Sequence, residues 1–596
     1  MSRFSNFTVA IYCPAQWTAY VSESELVEQI VFFEKYVGVD KVYLETFRSE
    51  TASKEQVDRC KRIFAEHGVR VSGGITTVTV DLDAEDRKQR RRLFNTFCYS
   101  NEAMRRLLKG KVEYTASLFD EFIIDDFFFT QCTCADCQRE KGSRLWADFR
   151  LEKMREISEN LVIKPAKAVN PKVNIIIKYP NWRESFQETG YNPAIQKDMF
   201  DMVYTGTETR HPVFTDQHLP RYLSYSLMRF MGNTAPGRNG GGWLDPYECY
   251  SIDNYLEQAY LMAFSKPSEI TLFCWPSLFN NKVITPMGFR LKQLDEILNH
   301  LGKPVGIPVY LPHNSRGEDH LEDYLGMLGV PFDPSPVFAS ETVVQDQSVF
   351  LTASALYDRE IIAKIRDFLN NGGRVIASSG FVLGALDQGI GIEDFTSIRY
   401  HGRTISVDEF HISRLDHSRM FYTKSTEKIA FPLLEHRNNA TWSLVNAGSG
   451  DCHSSILMRD TFGRGEFITL VVPSLFSEIK KLPPEVLTRI REEFHPDIFL
   501  ESGVQVSLFV YGNRTFGLYS YVSGDFSSRP AWVKVHIKGC AKALSLILPE
   551  TRENIFSAPA GRDKQPSNMP PLYSNVRETV FELRTEPGEF AFYKIL

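Results

Sequence analysis

Long apolar runs are missing from this chain of 596 residues. No window approaches the roughly 20 apolar residues that a membrane-spanning helix needs, so we expect no membrane partner. A signal-peptide pattern is also missing, because Met1 to Phe7 is polar and the first apolar run, Val9 to Cys13, ends at Pro14. We therefore expect a cytoplasmic protein.

A basic excess is missing as well, since 68 Lys and Arg face 74 Asp and Glu, for a net charge of −6. A nucleic-acid-binding surface would normally be basic, so no nucleic-acid partner is expected. Ten cysteines are too few for a secreted disulfide framework in a chain of this length, which favours a reducing compartment. The length itself predicts two to four domains.

The first 300 residues alternate strand-like and helix-like segments. This rhythm predicts a (β/α)8 TIM barrel over residues 1–302. A doubly wound open sheet is the alternative, but no glycine-rich phosphate loop follows the first strands. Among the expected helices are Asp86–Leu108 and Gly142–Ala168. The expected strands are Thr8–Cys13, Lys41–Glu45, Val69–Ile75, Phe122–Asp126, Val173–Lys178, Met202–Tyr204, Leu223–Phe230 and Ile270–Trp275.

The pattern restarts after Gly302 and predicts two further domains. Strand-like Val305–Tyr310 and Val349–Leu351, with a helix over Asp358–Asn371, indicate a flavodoxin-like α/β domain over residues 303–500. From about Gln505 short alternating strands are typical of a β-sandwich, which we place over residues 501–596.

Acidic residues stand at or just after the ends of the predicted barrel strands: Glu45, Asp125, Asp126, Glu208 and Asp245. The carboxyl ends of barrel strands meet at one rim, where the active site of such a barrel lies. Glycoside hydrolysis needs two carboxyl groups that flank the scissile bond. Because side chains alternate along a strand, only one of the two adjacent aspartates should reach the substrate directly. Surface loop acids are the alternative interpretation.

Further polar and aromatic residues belong to the same predicted rim. Aromatic faces suit sugar rings, although plain core packing would explain any one of them equally well. Arg210 could orient a carboxylate or a sugar hydroxyl. The predicted substrate-binding residues are Glu45, Lys178, Trp182, Arg210, Arg229, Trp243, Asp245 and Trp275.

Three thiols follow the predicted fourth strand in the spacing Cys132-x-Cys134-x-x-Cys137. Thiolates this close in sequence suit zinc, and Cys98 is the candidate fourth ligand of a closed structural site. A catalytic zinc is disfavoured because no His accompanies the cluster, and unligated reduced cysteines are the alternative. No organic cofactor is expected.

The order of barrel, flavodoxin-like domain and β-sandwich resembles the β-galactosidases of glycoside hydrolase family 42 and related uncharacterised barrel hydrolases. The four cysteines match a zinc site of that family. The resemblance of Val349–Leu356 and Asn371–Gly373 to its trimerisation domain implies a homo-oligomer, with a trimer as the first candidate.

The catalytic motif of the resembled family does not carry over. The family has Asn-Glu at the end of strand four, where this chain has Asp125-Asp126, and a Glu nucleophile on strand seven, where we expect Arg229 and its neighbours. Carboxylates after strands four and six are instead similar to α-galactosidase-type barrels, in which the strand-four Asp is the nucleophile. We therefore assign the catalytic pair to Asp126 and Glu208, with Asp125 in support and Asp245 as the alternative to Glu208.

The sequence thus predicts a glycoside hydrolase that cleaves oligosaccharides or glycosides, with galactosides among its candidate substrates. A sugar isomerase or lyase would use the same acids for proton transfer or to hold a divalent cation. A non-catalytic carbohydrate-binding protein is the third hypothesis. Sugar, anomer and linkage stay open.

Overall fold

A computed structural model of the chain describes residues 3–79, 93–281, 284–339, 347–413, 421–522, 529–548, 568–574 and 577–596. The chain divides into two compact units, one of Met1–His218 with Leu227–Asn299 and one of Leu219–Ser226 with His300–Leu596. Within the described ranges, no helix has both the length and the apolar character that crossing a membrane requires.

The first unit contains a closed barrel of eight parallel strands. Each strand pairs with the next one in sequence, and the first pairs with the last, so that Thr8 lies opposite Glu269 and Ala10 opposite Lys41. The predicted (β/α)8 barrel is confirmed. Its strands are β1 (Thr8–Cys13), β2 (Lys41–Arg48), β3 (Arg70–Ile75), β4 (Glu121–Ile124), β5 (Asn174–Tyr179), β6 (Met202–Gly206), β7 (Asn239–Leu244) and β8 (Glu269–Phe273).

Amphipathic helices connect the strands. In the second of them, Leu26, Ile30 and Phe33 are buried at helical spacing, and Ser22 caps its first turn. The helices are α1 (Ala15–Tyr20), α2 (Glu23–Tyr36), α3 (Lys54–Glu66), α4 (Glu102–Leu118), α5 (Ala135–Lys141), α6 (Trp146–Ile157), α7 (Lys164–Val169), α8 (Phe186–Thr189), α9 (Pro193–Met199), α10 (Leu223–Thr234), α11 (Ile252–Phe264), α12 (Trp275–Asn281) and α13 (Ile284–Leu298).

The predicted seventh strand is wrong. Leu223–Phe230 lies in helix α10, and the seventh strand is the glycine-rich β7. Its glycines have a steric reason, since a Cβ on Gly241 would lie 2.5 Å from the carbonyl oxygen of Glu269 on β8. Glycine lowers strand propensity, and the propensity pattern therefore hid this strand. Arg229 consequently belongs to a helix and not to a strand of the barrel.

Two predicted helices also differ from the structure. Most of the predicted first turns of Asp86–Leu108 lie outside the described residues, and the helix in this region begins at Glu102 after its cap Asn101. The predicted helix over Gly142–Ala168 begins only at Trp146 and runs through a π-helical turn, Ser158–Ile163, into α7.

The interior of the barrel is filled by side chains and is not a pore. Aromatic rings of Tyr12, Tyr43, Tyr204 and Trp243 form one buried cluster with smaller apolar residues. Beside it Lys41 pairs with Glu121 at 2.6 Å and with Glu269 at 3.1 Å. Because these side chains fill the barrel, an active site can form only at the carboxyl ends of the strands.

The second unit holds a nine-stranded sheet. Five parallel strands run in the flavodoxin-like order 2-1-3-4-5, which confirms the predicted fold of this region. They are β9 (Ile307–Tyr310), β10 (Phe332–Ser335), β11 (Ser348–Leu351), β12 (Arg374–Ser378) and β17 (Gly465–Leu470). Helices α14 (Leu321–Gly326), α15 (Ile361–Asn370), α16 (Ser379–Gln388) and α17 (Pro484–Glu493) accompany them.

Four long antiparallel strands extend this sheet beyond β17, and the sequence pattern did not indicate them. They are β13 (Ile398–Ile412), β14 (Phe421–His436), β15 (Trp442–Ser449) and β16 (Cys452–Phe462). Most residues of Ile398–Ser406 are exposed, so this part of β13 lacks the apolar alternation of a half-buried strand.

Two further sheets share one apolar core at the C-terminal end of the chain, and this confirms the predicted β-sandwich. Strands Ile498–Glu501 and Pro304–Val305 also belong to these sheets, and the predicted domain boundaries at 302/303 and 500/501 stay predictions. The remaining strands are Val506–Tyr511, Thr515–Ser520, Ala531–Lys538, Leu544–Ile547, Asn568–Met569, Tyr573–Ser574, Glu578–Thr585 and Phe590–Ile595.

Candidate active site

The ammonium group of Lys178 is the centre of a charged cluster at the carboxyl ends of β4, β5 and β6. Its Nζ lies 2.8 Å from Asp126 Oδ2, 3.2 Å from Glu208 Oε1 and 3.5 Å from Asp125 Oδ1. It also lies 3.9 Å from the ring centroid of Trp243. Burial alone would lower the pKa of Lys178, but Asp126, Glu208 and Asp125 raise it, so the group keeps its charge.

Asp125 is held as a permanent carboxylate. Its Oδ2 accepts hydrogen bonds from Arg48 Nη2 at 2.6 Å and from Thr76 Oγ1 at 3.2 Å, and its Oδ1 accepts one from the backbone N–H of Asp126 at 2.8 Å. Burial would raise the pKa of this carboxyl, but Lys178 and Arg48 outweigh it and lower the pKa to about 2.

The neighbouring Asp126 has the opposite electrostatic character. Burial is the largest cause and raises its pKa; Lys178 lowers it, and the negative charges of Asp125 and Glu208 raise it again, to about 7. Its side chain is 15% exposed, against 3% for Asp125 and 7% for Glu208. Asp126 can therefore hold a proton near neutral pH at a place that a ligand can reach.

The expectation that the two aspartates point to opposite faces is wrong in one respect. Strand β4 ends at Ile124, so the alternation of a strand no longer applies, and both carboxylates reach Lys178. Their different exposure still makes Asp126 the accessible member of the pair.

Glu45 is a supporting residue and not a substrate ligand as predicted. It is fully buried. Its carboxylate accepts hydrogen bonds from Tyr12 Oη at 2.7 Å, from the backbone N–H of Ala15 at 2.7 Å and from Arg48 Nε at 3.0 Å. Thr76 donates a further short hydrogen bond to it. Glu45 thus fixes Arg48 against Asp125.

A second ion pair joins the loops that follow β6 and β7. Arg210 binds Asp245 through two hydrogen bonds, at 2.7 and 3.1 Å, and lies 3.4 Å from Glu248. Burial raises the pKa of Asp245; Arg210 lowers it and Glu208 raises it, with a result of about 6. Asp245 directly follows the true seventh strand, the position where the resembled family has its nucleophile.

The remaining predicted ligands occupy different surroundings. Trp182 is partly buried edge-on to Phe129, and its Nε1 has no hydrogen-bond partner among the described residues. Trp243 lies under Lys178 as part of the barrel interior. Trp275 packs on Phe33 and Phe64 of the outer helices, and its Nε1 donates to Gln29 Oε1 at 2.7 Å. Trp275 is therefore buried by these contacts and not presented to a ligand, contrary to the prediction. Arg229 lies on α10, and its role in substrate binding stays a prediction.

Sequence reasoning missed Arg48 and Thr76, which orient Asp125. A cation three residues after Glu45 at the end of a predicted strand was an available signal for Arg48. Thr76 gave no signal, because its hydroxyl matters only through contacts with residues 31 and 49 positions away.

The four predicted metal ligands come together. The Sγ atoms of Cys98, Cys132, Cys134 and Cys137 all lie within 4.8 Å of one another and are buried. Cys98 Sγ lies 3.8 Å from Cys134 Sγ and 3.6 Å from Cys137 Sγ. A tetrahedral zinc with bonds of about 2.3 Å would separate its sulfurs by about 3.8 Å, so this donor set fits zinc.

The barrel matches a family model of known proteins. Residues 1–293 match the family model described as "Probable glycosyl hydrolase, catalytic domain". The prediction of a glycoside hydrolase is thereby confirmed at the level of the class. Residues 302–471 match a second model, described as the second domain of the uncharacterized protein SSO3021.

Similarity to known proteins also extends over most or all of the chain. Uncharacterized protein SSO3021 of Saccharolobus solfataricus is 25% identical over 524 residues, 79% of this chain and 83% of the relative. A β-galactosidase from Rahnella sp. R3 superposes with a TM-score of 0.61 at 12% identity, over 98% of this chain and 99% of that one. A catalytic mutant of a GH42 β-galactosidase from G. stearothermophilus gives 0.62 at 10% identity, over 99% of both chains. The predicted resemblance to the β-galactosidases of glycoside hydrolase family 42 is confirmed at the level of the fold.

Replacing either of the two adjacent aspartates by asparagine should change the free energy of unfolding, but in opposite directions. The pKa of Asp126 is about 7 in the folded chain, above its unfolded value. Ionisation of this carboxyl therefore lowers the free energy of unfolding of the protein as pH rises from about 4 to 7. We expect Asp126→Asn to raise the free energy of unfolding at pH 8 by about 1–3 kcal/mol, and less at pH 5. Urea unfolding at both pH values measures this.

Asp125→Asn is the matched control for that prediction. The pKa of Asp125 is about 2 in the folded chain, below its unfolded value, so its stabilising effect is present above pH 4 and is lost as pH falls toward 2. At pH 7 this substitution should cost about 2 kcal/mol. Equal signs for the two variants at neutral pH would contradict the electrostatic assignment.

Proposed function

We propose that the chain hydrolyses glycosidic bonds with Asp126 as the general acid and Glu208 as the nucleophile. The observation that carries this proposal is the position of Lys178 between them. Lys178 Nζ lies 3.2 Å from Glu208 Oε1 and 2.8 Å from Asp126 Oδ2, while burial and the neighbouring carboxylates raise the pKa of Asp126 and favour a proton there. Two carboxyl groups with different protonation states are what glycoside hydrolysis requires.

The separation of the pair supports a retaining mechanism. Asp126 Oδ2 and Glu208 Oε1 are at most 6.0 Å apart, because Lys178 Nζ lies 2.8 Å from one and 3.2 Å from the other. Retaining glycosidases hold their carboxyl groups roughly 5–5.5 Å apart, and inverting ones roughly 6.5–9.5 Å.

The proposed reaction has two steps. Asp126 donates its proton to the glycosidic oxygen as that bond breaks, and Glu208 bonds to the anomeric carbon. Asp126, now ionised, takes a proton from water, which attacks the same carbon and releases Glu208. Lys178 stabilises the Asp126 carboxylate between the steps. The roles are thus reversed with respect to the α-galactosidase-type barrels, because Asp126 is the group that favours a proton.

Oligosaccharides or simple glycosides are the expected class, and galactosides are the first to test because two β-galactosidases share the fold. The predicted homo-oligomer, with a trimer as first candidate, and the predicted cytoplasmic location remain proposals.

Removal of either carboxyl group should abolish catalysis. We expect Asp126→Ala and Glu208→Ala to lower kcat/KM for alkyl glycosides by about a thousandfold. In the wild type, kcat/KM should fall as pH rises above about 7, because Asp126 loses its proton. Initial rates on a panel of α- and β-glycosides measure both effects, and proton NMR of the first product should show retained configuration.

The leaving group separates the two roles. A dinitrophenyl group leaves without a proton, so Asp126→Ala should keep far more activity on dinitrophenyl glycosides than Glu208→Ala. Asp58→Ala, which removes an exposed carboxylate on α3, serves as the control and should keep wild-type rates. Full activity of both site variants would refute the assignment.

Asp245 is the second candidate for the nucleophile, because it directly follows β7 and Arg210 holds it in place. A 2-deoxy-2-fluoro glycoside with a good leaving group should trap the glycosyl-enzyme, since its second step is slow. Mass spectrometry of the digest then identifies the labelled peptide. We expect the label on Glu208. A label on Asp245 would show that Asp245 and not Glu208 is the nucleophile.

We also propose that the four-cysteine cluster holds one structural zinc. Cys98 comes from the segment after β3, and the other three come from the segment after β4. When bound, the metal would tie these two segments together, and β4 is the strand that leads to Asp125 and Asp126. Four thiolates would fill the tetrahedral coordination of zinc, so the metal would have no open catalytic position.

Zinc content tests this proposal directly. Metal analysis of the purified chain should give about one zinc per chain, and Cys132→Ser should lose it and lower Tm by several degrees. Cys60→Ser changes a buried cysteine outside the cluster and should keep the zinc. A wild-type chain without zinc after expression in zinc-supplemented medium would contradict the proposal.

A further inference from the structure

Three aromatic rings form a platform on the loops that follow β6 and β7, defined by His211, Phe214 and Tyr250. The rings of His211 and Phe214 are stacked, with centroids 4.7 Å apart and an angle of 24°. Tyr250 stands edge-on to both, at 5.6 Å from His211 and 6.0 Å from Phe214. None of the proposed catalytic groups belongs to this platform.

The two outer rings are exposed to solvent although they are held in place. Phe214 is 64% exposed and Tyr250 67%, while His211 beneath them is 5% exposed. His211 Nδ1 accepts hydrogen bonds from the backbone N–H groups of Val213 and Phe214, both at 3.1 Å. A fixed and exposed aromatic surface is unfavourable in water, and it is pre-organised to bind a ring-shaped partner.

The platform is attached to the proposed catalytic site. Arg210, next to His211, binds Asp245 and Glu248 of the β7 loop. The backbone N–H of His211 donates to the carbonyl oxygen of Glu248 at 3.2 Å. Tyr250 lies on the same β7 loop, five positions after Asp245. The platform and Asp245 are therefore carried by the same two connected loops, which follow the carboxyl ends of β6 and β7.

We propose that Phe214 and Tyr250 form a stacking subsite for a sugar ring beyond the ring that is cleaved. The apolar C–H face of a pyranose fits an aromatic surface, and the nearby charged groups Arg210 and Glu248 can bind its hydroxyls. The natural substrate is then an oligosaccharide and not a monoglycoside. This inference rests on the proposed function and narrows its substrate class.

The test is the preference for chain length. For the sugar accepted in the glycoside panel, with galactose tried first, kcat/KM is measured on the trisaccharide and on the methyl monoglycoside. The wild type should favour the trisaccharide, and Phe214→Ala and Tyr250→Ala should each lower that ratio about tenfold. Trp532→Ala removes an equally exposed ring, at 63%, from the C-terminal sheet and should keep the ratio.

The possible results separate the subsite from the proposed function. A wild-type enzyme that hydrolyses glycosides with no preference for the trisaccharide overturns the subsite and leaves the proposed function standing. Platform variants that keep the wild-type ratio, or lower both rates equally, overturn it as well. A wild type that cleaves no glycoside in the panel overturns the proposed function itself, and the subsite with it.

Discussion

The burial of one ammonium group constrains the whole active rim. Removing a charge from water costs several kcal/mol, and this is offset only by well-placed partners. Lys178, on β5, is 2% exposed and finds these partners in Asp125 and Asp126, which follow β4, and in Glu208, which follows β6. Such an arrangement requires the ends of β4, β5 and β6 to stay fixed relative to one another, which the closed barrel provides.

The surrounding contacts follow from the same constraint. Three carboxylates around one cation would leave excess negative charge, so Arg48 neutralises Asp125 and is itself held by Glu45. The ring of Trp243 supports the ammonium from below. The result is two adjacent aspartates with pKa values of about 2 and about 7. Burial raises both pKa values, but Lys178 and Arg48 outweigh it at Asp125, whereas at Asp126 the charges of Asp125 and Glu208 add to it.

Local patterns predicted much of this architecture, and long-range contacts explain what they missed. Near-continuous apolar runs such as Phe122–Ile124 indicate parallel barrel strands, so acids just beyond them could be placed on one rim. Strand β7 could not be found this way, because its glycines are selected by the close approach of β8. The role of Lys178 depends on partners 30 to 53 residues away, and no local spacing reveals them. Trp275 could not be told from a rim aromatic until its packing on α2 and α3 was known.

The replacement of Asn-Glu by Asp125-Asp126 has a physical consequence for the chemistry. A neutral Asn before the acid would place no negative charge beside it, whereas Asp125 places a permanent negative charge beside Asp126. Because Asp125 takes Arg48 and shares Lys178, the charge that Asp126 would carry after ionisation is compensated less well, and its proton is retained near neutral pH. In the proposed reaction, Asp125 therefore acts through Asp126. Asp125 is then a residue that raises the pKa of the proposed acid, which stands where the resembled family has a Glu.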